Sequence, residues 1–136
     1  MRAVDAFHNR VPGVTDRAGL SATDAFAGLP AEVVLANGEA LLDVTLYRAG
    51  VQTITAVDLD DGGILPHVSS GVPVSAGPYA RILLIAPGEQ IAPGTAEGRS
   101  GTATDQSINY AFTVTVYATD AWFNPVGGAT DMIRIT

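Results

Sequence analysis

The sequence predicts an all-β protein, an antiparallel sandwich, from three observations. Several segments alternate apolar and polar residues with period two, Gly and Pro cluster between those segments, and no stretch carries a helical period over a useful length. Many short strands separated by regular turn signals are the pattern of a two-sheet β domain. At 136 residues the chain is long enough for one domain with a real core.

The elements follow in chain order. Asp16–Thr23 is a predicted strand. Glu39–Tyr47 sets Leu42, Val44 and Leu46 on one face against Asp43, Thr45 and Tyr47 on the other. Arg48-Ala49-Gly50 then turns the chain into Val51–Leu59, so these two segments are expected to form a hairpin. Val72–Ala76 is short and holds Pro73, which suits an edge strand. Tyr79–Ala86 is apolar and stops at Pro87-Gly88. Tyr110–Thr119 is the strongest strand, with Phe112, Val114 and Val116 opposite Thr113, Thr115 and Tyr117. Asp131–Thr136 is expected to repeat the strand at Asp16–Thr23.

That last expectation rests on an internal echo. Residues 1–21 and 116–136 share eight identities at an offset of 115 residues, among them Asp5/Asp120, Ala6/Ala121, Asn9/Asn124, Val11/Val126 and Gly13/Gly128. The offset exceeds solenoid periods and matches one small β domain. The chain therefore reads as slightly more than one unit of a tandem repeat, cut out of phase with its own domain boundary.

Composition excludes several functions. The net charge of −7 argues against nucleic acid and anionic membrane as partners. Without cysteine there is no disulfide and no thiolate zinc site. All seven basic residues are Arg, which excludes lysine nucleophiles, Schiff bases and Lys–Asn isopeptide staples. No apolar run approaches the ~20 residues that span a bilayer, and the N-terminus lacks a basic-then-apolar leader pattern.

A set of phrases resembles a known family. Asp5-Ala-Phe-His-Asn9, Ser21-Ala-Thr-Asp24, Ala27-Gly-Leu-Pro30, Asn37-Gly38 and Val44 through Asp58 (V-T-L-Y-R-A-G-V-Q-T-I-T-A-V-D) are similar to the immunoglobulin-like tandem repeats of large bacterial surface and secreted proteins, and more loosely to invasin- and intimin-type domains. The resemblance covers most of the chain. It implies an immunoglobulin-like β-sandwich, an extracellular or cell-surface location, and a stalk, spacer or adhesive role with no catalytic residues. One departure is that Phe7-His8 and Trp122-Phe123 stand where a turn Gly is common, which points to a packing role for Phe7 and Trp122.

In that family order, residues 1–77 are the C-terminal part of one repeat and residues 78–136 the N-terminal part of the next. Joining the halves within one chain needs a linker of ~25 Å, roughly eight extended residues, but only Gly77-Pro78 lies between Ala76 and Tyr79. The halves are therefore expected to pair between copies, as strand complementation in a head-to-tail filament, or to belong to one long covalent repeat protein. The residues expected at that interface are Phe112, Val114, Val116, Trp122, Ile133, Ile135, Leu42, Val44 and Leu46.

Other candidate sites are sparse. Asp58, Asp60 and Asp61 precede Gly62-Gly63 and are weak calcium candidates, without the spacing of an EF-hand; an acidic solvated turn explains them as well, and no other cofactor is expected. Asp5 with Asn9, and Asp120 with Asn124, could reach a cation between repeats, but such pairs more often cap a turn. His8 and His67 are too far apart in sequence to suggest a metal pair. Gly98-Arg99-Ser100-Gly101 lacks the Lys of a phosphate-binding loop, and no Gly-x-Ser-x-Gly elbow occurs. Residues 87–106 read as a long loop, the first place to look for a glycan or surface receptor. The expected function is thus a non-catalytic fibre or stalk unit whose partners are copies of itself, and the alternative is an adhesive or carbohydrate-binding module.

Overall fold

The computed structural model describes residues 1–134. Among them the chain is all-β, with ten strands, no helix and antiparallel sheets, consistent with a β-sandwich. It folds as two compact units. Unit 1 holds Met1–Leu46 and Val51–Pro73, and unit 2 holds Tyr47–Gly50 and Val74–Thr136.

Unit 1 is built on a four-stranded sheet. Its strands are β1 (Arg17–Ala22), β2 (Glu32–Val34), β4 (Ile54–Asp58) and β5 (His67–Val68), in the order β2-β1-β4-β5. β1 is central, pairing Ala18 with Val33 on one side and with Asp58 on the other. Small residues are required there: a Cβ on Gly19 would stand 3.1 Å from side-chain atoms of both Leu59 and Val57. Ala18 and Leu35 supply the buried apolar side chains. Asn37 and Gly38 both take positive φ, 56° and 75°, and Ala36 and Glu39 exchange backbone bonds across them. This is the mirror-image two-residue turn that Asn-Gly favours, because both positions need left-handed backbone.

β3 (Gly50–Gln52) and β6 (Val72–Val74) form a two-stranded ladder. In unit 2, β7 (Arg81–Ile85) pairs with β10 (Thr115–Thr119), and β8 (Glu89–Ile91) pairs with β9 (Arg99–Gly101). β7 buries Leu83 and Ile85 and leaves Ile82 and Leu84 half exposed, the alternation that a strand covered on one face must show.

Five expectations are corrected. Glu39–Tyr47 is not a strand: only isolated bridges at Glu39 and Thr45 occur. Leu42, Val44 and Leu46 are nevertheless half-buried and Leu41, Asp43 and Thr45 exposed, so the period of two survives without the ladder. The hairpin expected between that segment and Val51–Leu59 is absent, because β4 pairs β1 and β5 instead. Of Tyr110–Thr119 only the second half is strand, since β7 offers five partners. Residues 131–134 are irregular, and residues 135 and 136 lie outside the described residues. The 87–106 segment, expected as a loop, contains the β8–β9 hairpin; its turn uses Pro93-Gly94, with Gly94 at φ 81°.

The core is small. The buried apolar side chains are Ala18, Leu35, Leu83 and Ile85, and the accessible surface is 9378 Å². A single compact chain of 14.0 kDa exposes roughly 6,700 Å², and two compact halves together about 8,100 Å². Large apolar side chains are among the exposed residues, including Leu41, Ile108, Tyr110, Phe112 and Ile133.

Candidate functional site

The two echoed segments fold into the same five-residue clamp. In the first, the Asp5 Oδ1 accepts the backbone N–H groups of Phe7 (2.8 Å) and Asn9 (2.9 Å), and its Oδ2 accepts the Asn9 amide (3.1 Å). In the second, the Asp120 Oδ1 accepts the N–H groups of Trp122 (2.8 Å) and Asn124 (2.9 Å), and its Oδ2 accepts the Asn124 amide (2.9 Å). Backbone bonds match too: Asp5 to Asn9 O and His8 to Asp5 O, Asp120 to Asn124 O and Phe123 to Asp120 O. His8 and Phe123 both sit at positive φ, 65° and 61°. Asp is needed at the first position because only a short carboxylate reaches two N–H groups of its own turn while accepting an amide.

The copies differ in what they hold. In unit 2, the Asn124 Nδ2 donates to the Tyr47 carbonyl (2.8 Å) and its Oδ1 accepts the Ala49 N–H (2.8 Å). The clamp thus grips the Tyr47–Gly50 corner. Trp122 stacks on Tyr47 with ring centroids 3.9 Å apart. The Arg81 guanidinium lies 4.9 Å from the Phe123 ring centre, and the Trp122 carbonyl accepts the Gly94 N–H. Gly98 must be Gly, since a Cβ there would stand 2.3 Å from the Phe123 ring and φ is 70°. Thr119, Asp120 and Asn124 are buried. In unit 1, the corresponding Asp5–Asn9 clamp lies on the surface and Phe7 is 84% exposed, against 39% for Trp122.

Electrostatics follow burial. Desolvation pushes the Asp120 carboxyl up, but bonds from the Asn124 amide and the N–H groups of Gly77, Asn124 and Trp122 outweigh it and hold the group below its ordinary value. Asp5 is lowered by the Asn9 side chain and by the Asn9 and Phe7 N–H groups. A depressed folded-state pKa means stability present above the unfolded value, about 3.9, and lost as pH falls through the folded value. Acid should therefore release the unit 2 clamp below about pH 4, and Asp120→Asn should flatten that dependence while lowering stability at pH 7. Trp122, the single Trp, reports both in a fluorescence titration.

Unit 1 carries an apolar cleft of about 560 Å³ whose lining includes Met1–Val4, Leu35, Val57, Ile64 and Leu65, with His8 and His67 also on its wall. Sequence separation hid that the two histidines line one cleft. Met1–Val4 are the echo counterparts of Val116–Thr119. The equivalence extends to bonding: Val11 donates to Ala3 O (3.0 Å) as Val126 donates to Ala118 O (2.9 Å). In unit 2 that segment carries β7 as its strand partner.

The remaining candidates are placed as follows. Asp58 accepts the N–H groups of Asp60 and Asp61, Asp61 accepts that of Gly63, and Asp60 grips Arg17 through its backbone N–H and its guanidinium at 2.8 Å. No group of three or more His, Asp or Glu stands ready for a metal among the described residues. Val116 sits opposite Leu84, Phe112 and Ile133 are exposed, and Ile135 lies outside the described residues. Arg99 pairs with Glu89 across the β8–β9 hairpin. The partner of the Asn124 side chain, the Tyr47–Gly50 corner, was missed from sequence; it stands 75 residues away from Asn124 and no local pattern marks it. Comparison with protein-family models, with curated proteins and with solved structures gives no match.

Proposed function

We propose that this chain is a non-catalytic structural unit of an extracellular fibre or stalk, made of immunoglobulin-like β-sandwich repeats that complete one another head to tail by strand addition. The cleft beside Met1–Val4 carries this conclusion. Its wall is the sequence equivalent of β10, and β10 takes β7 as its neighbour. A strand like Arg81–Ile85, with apolar residues on both faces, is thus the chemical complement of the cleft. Ile82 and Leu84, half exposed, supply the apolar face for it. Backbone ladders would give affinity and alternate side chains would give register. Because the donor strand and the cleft are different surfaces, the contact is heterologous and propagates.

The intact chain should form concentration-dependent oligomers in light scattering and filaments by negative stain. Leu84→Asp should weaken that association at least about tenfold, by placing a charge in a buried strand face. A monodisperse 14.0 kDa species at every concentration would rule out assembly between chains. An adhesive role at a cell surface is the second possibility, favoured by the exposure of Tyr110 and Phe112, since exposed rings are what sugars stack on. Glycan-array binding lost in Tyr110→Ala would decide for it.

A further inference from the structure

The Asp5–Asn9 clamp and the Asp120–Asn124 clamp are the same device in two states of occupancy. The second holds a corner of chain by four features: an Asn Oδ1 on the Ala49 N–H, an Asn Nδ2 on the Tyr47 carbonyl, an aromatic ring on the Tyr47 ring, and a carboxylate that orients the Asn. The first presents every one of these groups. Asn9 stands for Asn124, Asp5 for Asp120, and Phe7 for Trp122. Its internal bonds are already made, so it needs no rearrangement to bind. Among the described residues, the Asn9 Oδ1 accepts no hydrogen bond that corresponds to the one from Ala49, and Phe7 is 84% exposed.

We propose that Asp5–Asn9 is the receiving half of a repeat-to-repeat joint, and that its occupant is the Tyr47–Gly50 corner of another repeat of this same sequence, standing ahead of it in the fibre. The choice of occupant follows from complementarity within the molecule, because that corner is the one Asp120–Asn124 grips here; one corner takes one clamp, so in the array Asp5–Asn9 of the following repeat stands in the place of Asp120–Asn124. It rests on the reading of the chain as a tandem fibre unit. The joint adjoins the strand-addition cleft, whose wall includes His8 of the clamp, but it uses different groups, side-chain amides and a ring stack, and it sets how one repeat is anchored on the next. A nearest-neighbour contact of this kind, made once per repeat, gives a linear array its stiffness.

The test is a tandem protein in which residues 1–119 are followed directly by residues 5–136. The second copy's Asp5–Asn9 then takes the chain position of Asp120–Asn124 relative to the first copy's corner. The readout is amide hydrogen exchange at the first copy's Ala49, measured beside the intact chain. In the intact chain Asn124→Ala should speed that exchange about tenfold or more. In the tandem, Ala49 of the first copy should be equally protected. Asn9→Ala in the second copy should remove the protection, and the same change in the first copy should leave it in place. Phe7→Ala in the second copy, at an exposed site that folding does not depend on, should give a smaller rise of the same sign. An Ala49 amide that exchanges freely in the tandem, or that ignores second-copy Asn9→Ala, overturns the proposal. The association state of the intact chain is an independent readout. A monomeric chain with a docked tandem clamp removes assembly between chains and leaves the joint; a filament-forming chain with an undocked clamp does the reverse.

Discussion

Asn124→Ala should cost unit 2 roughly 2–4 kcal/mol. The side chain is 2% exposed and makes three bonds, to the Tyr47 carbonyl, the Ala49 N–H and the Asp120 carboxylate. Removing it takes a partner from two part-buried backbone groups of the corner, the Tyr47 carbonyl and the Ala49 N–H. An unmet buried group costs far more than a met one contributes. Trp122 would lose its stack on Tyr47, so the denaturation midpoint can be followed by its fluorescence. Asn9→Ala in the same chain should cost only about 0.5 kcal/mol, because its one side-chain bond lies in solvent. Equal losses for the two variants would mean that burial does not distinguish the clamps.

Gly38→Ala should destabilise unit 1 by roughly 2–4 kcal/mol. Two penalties add. The residue sits at φ +75°, where a Cβ meets the following carbonyl, and that Cβ would stand 2.2 Å from the Val11 carbonyl oxygen. The obstacle is backbone, so no side chain can swing away. The displaced segment also carries the Val11 to Ala3 and Gly38 to Val14 bonds, and Gly38 O accepts the Ala3 N–H. The change should therefore loosen Met1–Val4 along with the turn. Circular dichroism under urea checks the stability, and a variant within 1 kcal/mol of the parent would refute this packing. Asn37→Ala at the neighbouring position, φ 56°, should cost less, because it keeps a Cβ the site already accommodates.

Local chemistry was the legible part. An apolar run marked β7, and alternation marked the end of β10 and the half-buried faces of Leu42, Val44 and Leu46 even where no ladder forms. Pro87-Gly88 and Pro93-Gly94 marked breaks between strands. Two Asp-to-Asn spacings, five residues each with the ends counted, marked the clamps as turn-capping pairs. Partner choice was not legible. The apolar face of Glu39–Tyr47 gave no sign that it would stay unpaired, since alternation says which face is buried and not against what. The short strands β2, β5, β8 and β9 hold two or three residues each, too few for a period to show.

The sequence by itself determined that the chain is all-β, that Gly and Pro separate its segments, and that Asp5–Asn9 and Asp120–Asn124 cap equivalent turns. Each of these depends on interactions within a few residues: side-chain alternation, left-handed backbone, and a carboxylate reaching its own turn. Only the tertiary structure decided that one copy is buried and the other exposed. Identical local bonds carry no information about what arrives from 75 residues away, and it is the arrival of Tyr47–Gly50 that buries Asp120 and Asn124 while Asp5 and Asn9 remain at the surface.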